Sequence, residues 1–170
     1  MARVRQNQQG VPANPLAAYD SLGQRSALDL RGLVARSELT GIDVVKVSAE
    51  RVWADRVHGG GLAEPEEWIV EVSSPAVRCP AEPRAEGAAV LVEVGVVWKG
   101  GDGKVYGHAG VSVRVAYGFS GLEVAPTAEV VAQLGRDLGV HHAWPFLRER
   151  LRGISAELGL PAVVLPLRKR

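Results

Sequence analysis

The chain has 170 residues, 46% of them hydrophobic and 23% charged, with a formal net charge of +1. That is enough chain for one domain with its own core, and the composition excludes a chain disordered throughout. No apolar run is long enough for a spanning helix, and a charge this close to zero argues against a nucleic-acid binder held by phosphate contacts.

The neutral total hides a partition. Residues 1–36 are net +3, residues 37–125 net −5, and residues 126–170 net +3. The first residues, MARVRQNQQG, have no apolar block behind their arginines, so a secretory signal is not expected. The single cysteine, Cys79, cannot close an internal disulfide, which fits a reducing, cytoplasmic setting.

Residues 1–15 are polar and interrupted by Pro12 and Pro15, and read as a flexible tail ahead of a single domain over residues 16–170. Leu16, Tyr19, Leu22, Leu30, Leu33 and Val34 give an imperfect helical stripe over residues 16–35, weakened by Gly23 and Gly32. Four strand patterns follow. Val45, Val47 and Ala49 alternate with polar residues and run on to Val52 and Trp53. Trp68, Val70 and Val72 form a second alternation behind HGGGLAEPEE. Val90, Val92, Val94, Val96 and Trp98 share one face of a third strand, with Leu91 and Val97 on the other. Gly100-Gly101-Asp102-Gly103 suits a hairpin turn, after which Val111, Val113, Val115, Tyr117 and Phe119 line a fourth strand. Pro126-Thr127 opens a helix carrying Val130, Val131, Leu134 and Leu138, which is expected to end at Gly139. A second helix is expected from Trp144-Pro145, with Leu147, Leu151, Ile154 and Leu158 as its stripe and Gly159-Leu160-Pro161 as its stop. The fold class is α+β: a four-stranded antiparallel sheet followed by a short helix and a long C-terminal helix.

Chemistry is sparse along this chain. His141 and His142 are adjacent, so on a helix they diverge by about 100° and do not converge on one metal. His58, His108 and Cys79 are scattered. GGDGK at residues 100–104 lies between strands, whereas a phosphate-binding loop needs a helix after it. Glu64, Glu66, Glu67 and Glu71 have no nucleophile or basic partner placed nearby. No catalytic residue, metal site or cofactor is expected. What remains is apolar surface beyond what one sheet and two short helices hide, which points to self-association or a binding groove.

The C-terminal stretch HAWPFLRERLRGISAELGLPAVVLP resembles the signature region of the SecB family of export chaperones. The matching positions are Trp144, Pro145, Phe146, Arg148, Glu149, Gly159, Pro161, Leu165 and Pro166. The order of four strands, a short helix and a long helix is similar from about Leu33 onward. Two departures stand out: Arg168-Lys169-Arg170 is basic where family members carry a further helix and an acidic tail, and the acidic residues match by charge alone.

The resemblance implies a non-enzymatic, cytoplasmic, ATP-independent holdase that binds unfolded polypeptides or preproteins in apolar grooves and inserts into no membrane. It implies a homotetramer, a dimer of dimers with the long helices at the interface. On that basis Trp53, Trp68, Trp98, Tyr117 and Phe119 are the expected client-binding residues. Trp144, Phe146, Leu147, Leu151, Ile154 and Leu158 are the expected oligomerisation residues. Glu64, Glu66, Glu67 and Glu71 are the residues the resemblance offers, by charge, as a docking surface for the translocase ATPase. Within the family the choice lies between protein export and a dedicated client such as an antitoxin. Outside it stands a structural or interaction subunit with the fold and no general client binding.

Overall fold

The computed structural model describes residues 3–7, 27–52 and 65–165, with side chains from residue 30 onward. In chain order the elements are β1 (Arg3–Asn7), α1 (Ala27–Arg36), β2 (Ser37–Arg51), β3 (Glu67–Val72), β4 (Ala76–Arg78), β5 (Gly87–Gly100), β6 (Val105–Phe119), α2 (Ala128–Leu134), a π-helical turn (Gly135–Gly139) and α3 (Val140–Glu157). The sheet order is β1-β3-β5-β6-β2, with short β4 also paired to β5. The four patterned strands are β2, β3, β5 and β6, all joined antiparallel. The α+β architecture is therefore the expected one.

Alternation explains the long central hairpin. Val90, Val92, Val94, Val96 and Trp98 of β5 face the same side as Val111, Val113, Val115, Tyr117 and Phe119 of β6, and all are buried. Period-two spacing places every second residue on one face, and this face takes the helical cover. The outer face carries cross-strand ion pairs instead: Lys99–Glu71 at 2.7 Å, Arg78–Glu93 at 3.0 Å, His108–Glu50 at 3.4 Å and Arg114–Asp43 at 3.8 Å. Leu91 and Val97 sit half-buried among them. That charged outer face needs no second layer.

Two expectations about strands change, and one about a helix is met where the residues are described. Residues 3–7, read as part of a loose tail, form a strand that pairs parallel to β3; the pairing uses backbone groups, which a side-chain pattern does not report. β2 carries a bulge between Val44 and Lys46, so Val44 and Val47 both face inward and Val45 is the extra residue. A simple alternation had set Val45 beside Val47; one inserted residue reverses the face. Of the helix read over residues 16–35, the described part is α1, and residues 16–26 lie outside the described residues.

The helix that opens after Pro126-Thr127 does not stop at Gly139. Gly135, Gly139 and Val140 all hold right-handed helical angles, so α2, the π turn and α3 run on without a break, with Pro145 inside α3. Gly139 is not a cap, because the glycines serve a different purpose. A Cβ on Gly135 would lie 2.7 Å from Val77 Cγ1 and 2.9 Å from Val90 Cγ1; one on Gly139 would lie 2.9 Å from Val90 Cγ2. The missing side chains let the helix lie directly on β5.

Both ends of this helix are satisfied. Thr127 caps the start, its Oγ1 accepting from the Val130 N–H, as its position before the apolar run requires. At the other end Gly159 adopts φ +60°, and the Leu160 N–H bonds back to the Ser155 carbonyl, a left-handed stop suited to glycine. Arg51, at the end of β2, donates to the Leu158 carbonyl at 2.7 Å, a cation placed at the negative pole of α3.

Candidate functional site

The residues expected to bind clients and to assemble the protein are mostly used up inside the fold. Trp68, Trp98, Tyr117 and Phe119 are between 0 and 9% exposed. They share the inner sheet face with the valines, and the helix lies over that face. They are core, not the rim of a groove, and Trp53 lies outside the described residues.

Each has an internal partner or neighbour that suits a core role. Trp68 packs edge-on to Tyr106 with ring centroids 5.1 Å apart. The Trp98 indole N–H donates to the Pro161 carbonyl at 2.8 Å, pinning the extended segment whose Leu160, Val163 and Leu165 are buried. The Tyr117 hydroxyl lies 3.0 Å from His142 Nδ1, joining sheet to helix. His142 thus has a structural place. Its ring centroid is 6.0 Å from that of His141. Among the described residues no group of three or more His, Cys, Asp and Glu is placed to hold a metal ion; His58 is outside them.

Burial pushes the Tyr117 hydroxyl well above the ordinary tyrosine range. The unfolded chain loses this proton near pH 10 while the folded chain keeps it, so the stabilisation is complete below about pH 10 and falls as pH rises beyond it. Unfolding free energy should therefore drop by about 1.4 kcal/mol per pH unit above that point. Chemical denaturation at stepped alkaline pH checks this, and Tyr117→Phe should remove the extra slope.

The expected oligomerisation stripe is divided. Leu147, Leu151 and Ile154 are buried against the chain's own sheet, Trp144 and Leu158 are half-buried, and Phe146 remains 43% exposed. The outward side of α3 is charged, with Arg148, Glu149, Arg150 and Arg152 all exposed. Leu147, Leu151 and Ile154 close this chain's own core, and Phe146 with the half-buried Trp144 and Leu158 is the accessible part of the stripe. Of the acidic set, Glu66 is exposed, Glu67 half-buried and Glu71 ion-paired to Lys99, while Glu64 lies outside the described residues.

A further group of accessible apolar side chains lies on β2. Leu39, Val44, Val45 and Val47 are 38–50% exposed. Leu39, Val44 and Val47 stand opposite Tyr117, Val113 and Val111 of β6, continuing the inner face one strand beyond. Helix α3 packs on β6 and reaches β2 only partly. Among the described residues β2 has no neighbour on its far side, which leaves a 15-residue edge. The sequence signal was present in the β2 valines, but the bulge concealed which of them face inward. On the opposite face, two open depressions of about 240 and 310 Å³ meet at Ser73 and Gly95.

No family model matches the sequence, and no curated protein matches it. Among solved structures the chain is similar to the Mycobacterium tuberculosis Rv1957 SecB-like chaperone in complex with a ChAD peptide from the Rv1956 HigA1 antitoxin. The two share 19% sequence identity at a TM-score of 0.63, over 81% of this chain and 94% of that one. At this identity the likeness is one of fold. The chain has the α+β fold of the SecB-like chaperones.

Proposed function

We propose that this protein is a non-enzymatic chaperone that holds unfolded polypeptide without ATP or any other cofactor, acting in the cytoplasm as a homo-oligomer. The observation that carries this reading is the SecB-like fold, found in a neighbour whose structure contains an antitoxin peptide. That neighbour favours a dedicated small client, such as an antitoxin segment, over general protein export.

The reading is tested by mixing the purified protein, without nucleotide, with a chemically denatured client and following light scattering. Suppression at stoichiometric amounts supports it. Oligomerisation without suppression favours a structural subunit with the same fold. Capture of bound proteins from host cells separates the two client classes: preproteins and the translocase ATPase speak for export through Glu66, Glu67 and Glu71, and one dominant small partner speaks for a dedicated role.

Assembly is proposed as a dimer of dimers in which the β2 edge, with Phe146, takes the role first expected of the helix stripe. A long edge strand whose inner face carries Leu39, Val44 and Val47 is a ready template for another chain, its charges Asp43, Lys46 and Glu50 lying on the other face. Val47→Lys should reduce the light-scattering mass of the assembly towards the 18.1 kDa of one chain, since a lysine on an edge face opposes pairing. Unchanged mass in this variant would remove β2 from the interface.

A further inference from the structure

The antiparallel part of the sheet has two outer strands, β2 and β3, and they are treated differently. β2 is bare among the described residues, whereas β3 is covered by residues 3–7 of the same chain. The register runs Arg3↔Glu67, Val4↔Trp68, Arg5↔Ile69, Gln6↔Val70 and Asn7↔Glu71. This is the single parallel pairing among the described residues.

The covering strand is poorly suited to hold its place. Parallel pairing is slightly weaker per residue than antiparallel pairing. The sequence RVRQN contains one β-branched residue among polar ones with low strand preference. It is five residues long, and its closure spans the chain from Asn7 to Glu67, with an entropic cost that grows with loop length. Beneath it β3 is firm: Trp68 and Val70 are buried, and the strand is paired to β5 from Trp68 to Val72. A rigid edge covered by a weak strand from the same chain is an edge that another strand can take.

We propose that the outer edge of β3 is a strand-addition site for an extended polypeptide, and that residues 3–7 are its internal placeholder. The inference rests on the chaperone reading and adds to it a location and a control. An incoming segment gains the backbone hydrogen bonds that β1 now makes, so its sequence is read weakly, while alternate apolar side chains on it add to the inner face beside Trp68 and Val70. The placeholder also keeps this edge from pairing with a second copy of the chain. A placeholder seated about nine-tenths of the time weakens a competing strand about tenfold.

Two full-length variants test this in opposite directions. Val4→Pro with Arg5→Pro removes the N–H of two successive residues, one of which must face β3 whichever way the ladder runs. Arg5→Cys with Ile69→Cys, in a Cys79→Ser background, locks the two register partners together when oxidised. The probe is a fluorescein-labelled peptide of alternating apolar and polar residues with lysine at each end, followed by anisotropy. The proline variant should bind it about tenfold more tightly than the unmodified chain. The oxidised pair, with no open fraction left, should lose measurable binding, and a reductant should restore the affinity. Equal affinities for all forms, with aggregation suppression intact, overturn the placeholder and leave the chaperone reading standing. Absence of both peptide binding and aggregation suppression in every form overturns the chaperone reading, and the inference with it.

Discussion

Trp98→Ala should lower the stability of the fold by about 3–5 kcal/mol. The side chain is fully buried on the inner face of β5, so truncation removes a large apolar contact and leaves a cavity that close-packed neighbours fill only in part. The loss is compounded by the indole N–H, which holds the Pro161 carbonyl. Trp98→Phe separates the two effects. It retains most of the ring burial and leaves that carbonyl without its donor, at a cost of about 1–3 kcal/mol. Urea unfolding measures both changes as shifts in midpoint at constant slope. Hydrogen exchange adds a local readout: the Val163 N–H, which bonds to Ser155 Oγ, should lose protection in both variants. A Trp98→Ala midpoint equal to that of the parent chain would contradict the placement of residues 160–165 against the sheet.

The second large effect is expected at the π turn. Gly135→Val must place carbon within about 3 Å of Val77 and Val90, where both neighbours are themselves packed. Valine favours the helix over glycine by a few tenths of a kcal/mol, whereas overpacking of this kind costs about 1–3 kcal/mol or more. The steric cost wins, and the variant should be less stable by about 2–3 kcal/mol. Gly153, in the same helix, provides the contrast. Nothing lies within 4 Å of its would-be Cβ, so Gly153→Ala should stabilise the chain by about 0.8–1 kcal/mol. Opposite signs for two glycine replacements in one helix, read by thermal or urea unfolding, are the diagnostic result. Stabilisation by both would mean that the helix does not lie on Val90.

Some of this architecture was legible in the residues and some was not, for identifiable reasons. β5 and β6 announce themselves because their valines alternate without interruption, and an uninterrupted period needs no knowledge of neighbours. β2 was legible as a strand but not in its facing, since the bulge at Val45 has no marker such as glycine. β1 was invisible: its pairing is made by backbone atoms, and RVRQN has no apolar period. The helix was divided at Gly139 because glycine near the end of an apolar stripe usually means a stop. Here Gly135 and Gly139 are spacers, a distinction that depends on Val90, far away in sequence.

The site followed the same logic. Periodicity correctly grouped Trp68, Trp98, Tyr117 and Phe119 on one face, but it does not say whether that face ends up covered. Likewise Leu147, Leu151 and Ile154 formed a true stripe whose partner proved to be the chain's own sheet. Aromatic content pointed at the core, and the surface left open is made of the plainer Leu39, Val44 and Val47. The motif from Trp144 to Pro166 was the part of the sequence that spoke most directly to the fold, and the solved neighbour has that fold.

The segment that Trp98 holds in place also sets an order of events at the ribosome. The sheet is synthesised first, yet its inner face is sealed by α2, α3 and finally Leu160, Val163 and Leu165. Until those last residues emerge, the nascent chain carries an apolar sheet face without its lid. At synthesis rates of about 5–20 residues per second, that interval lasts several seconds. During it the newborn chain exposes the valines of β5 and β6 that the finished fold buries.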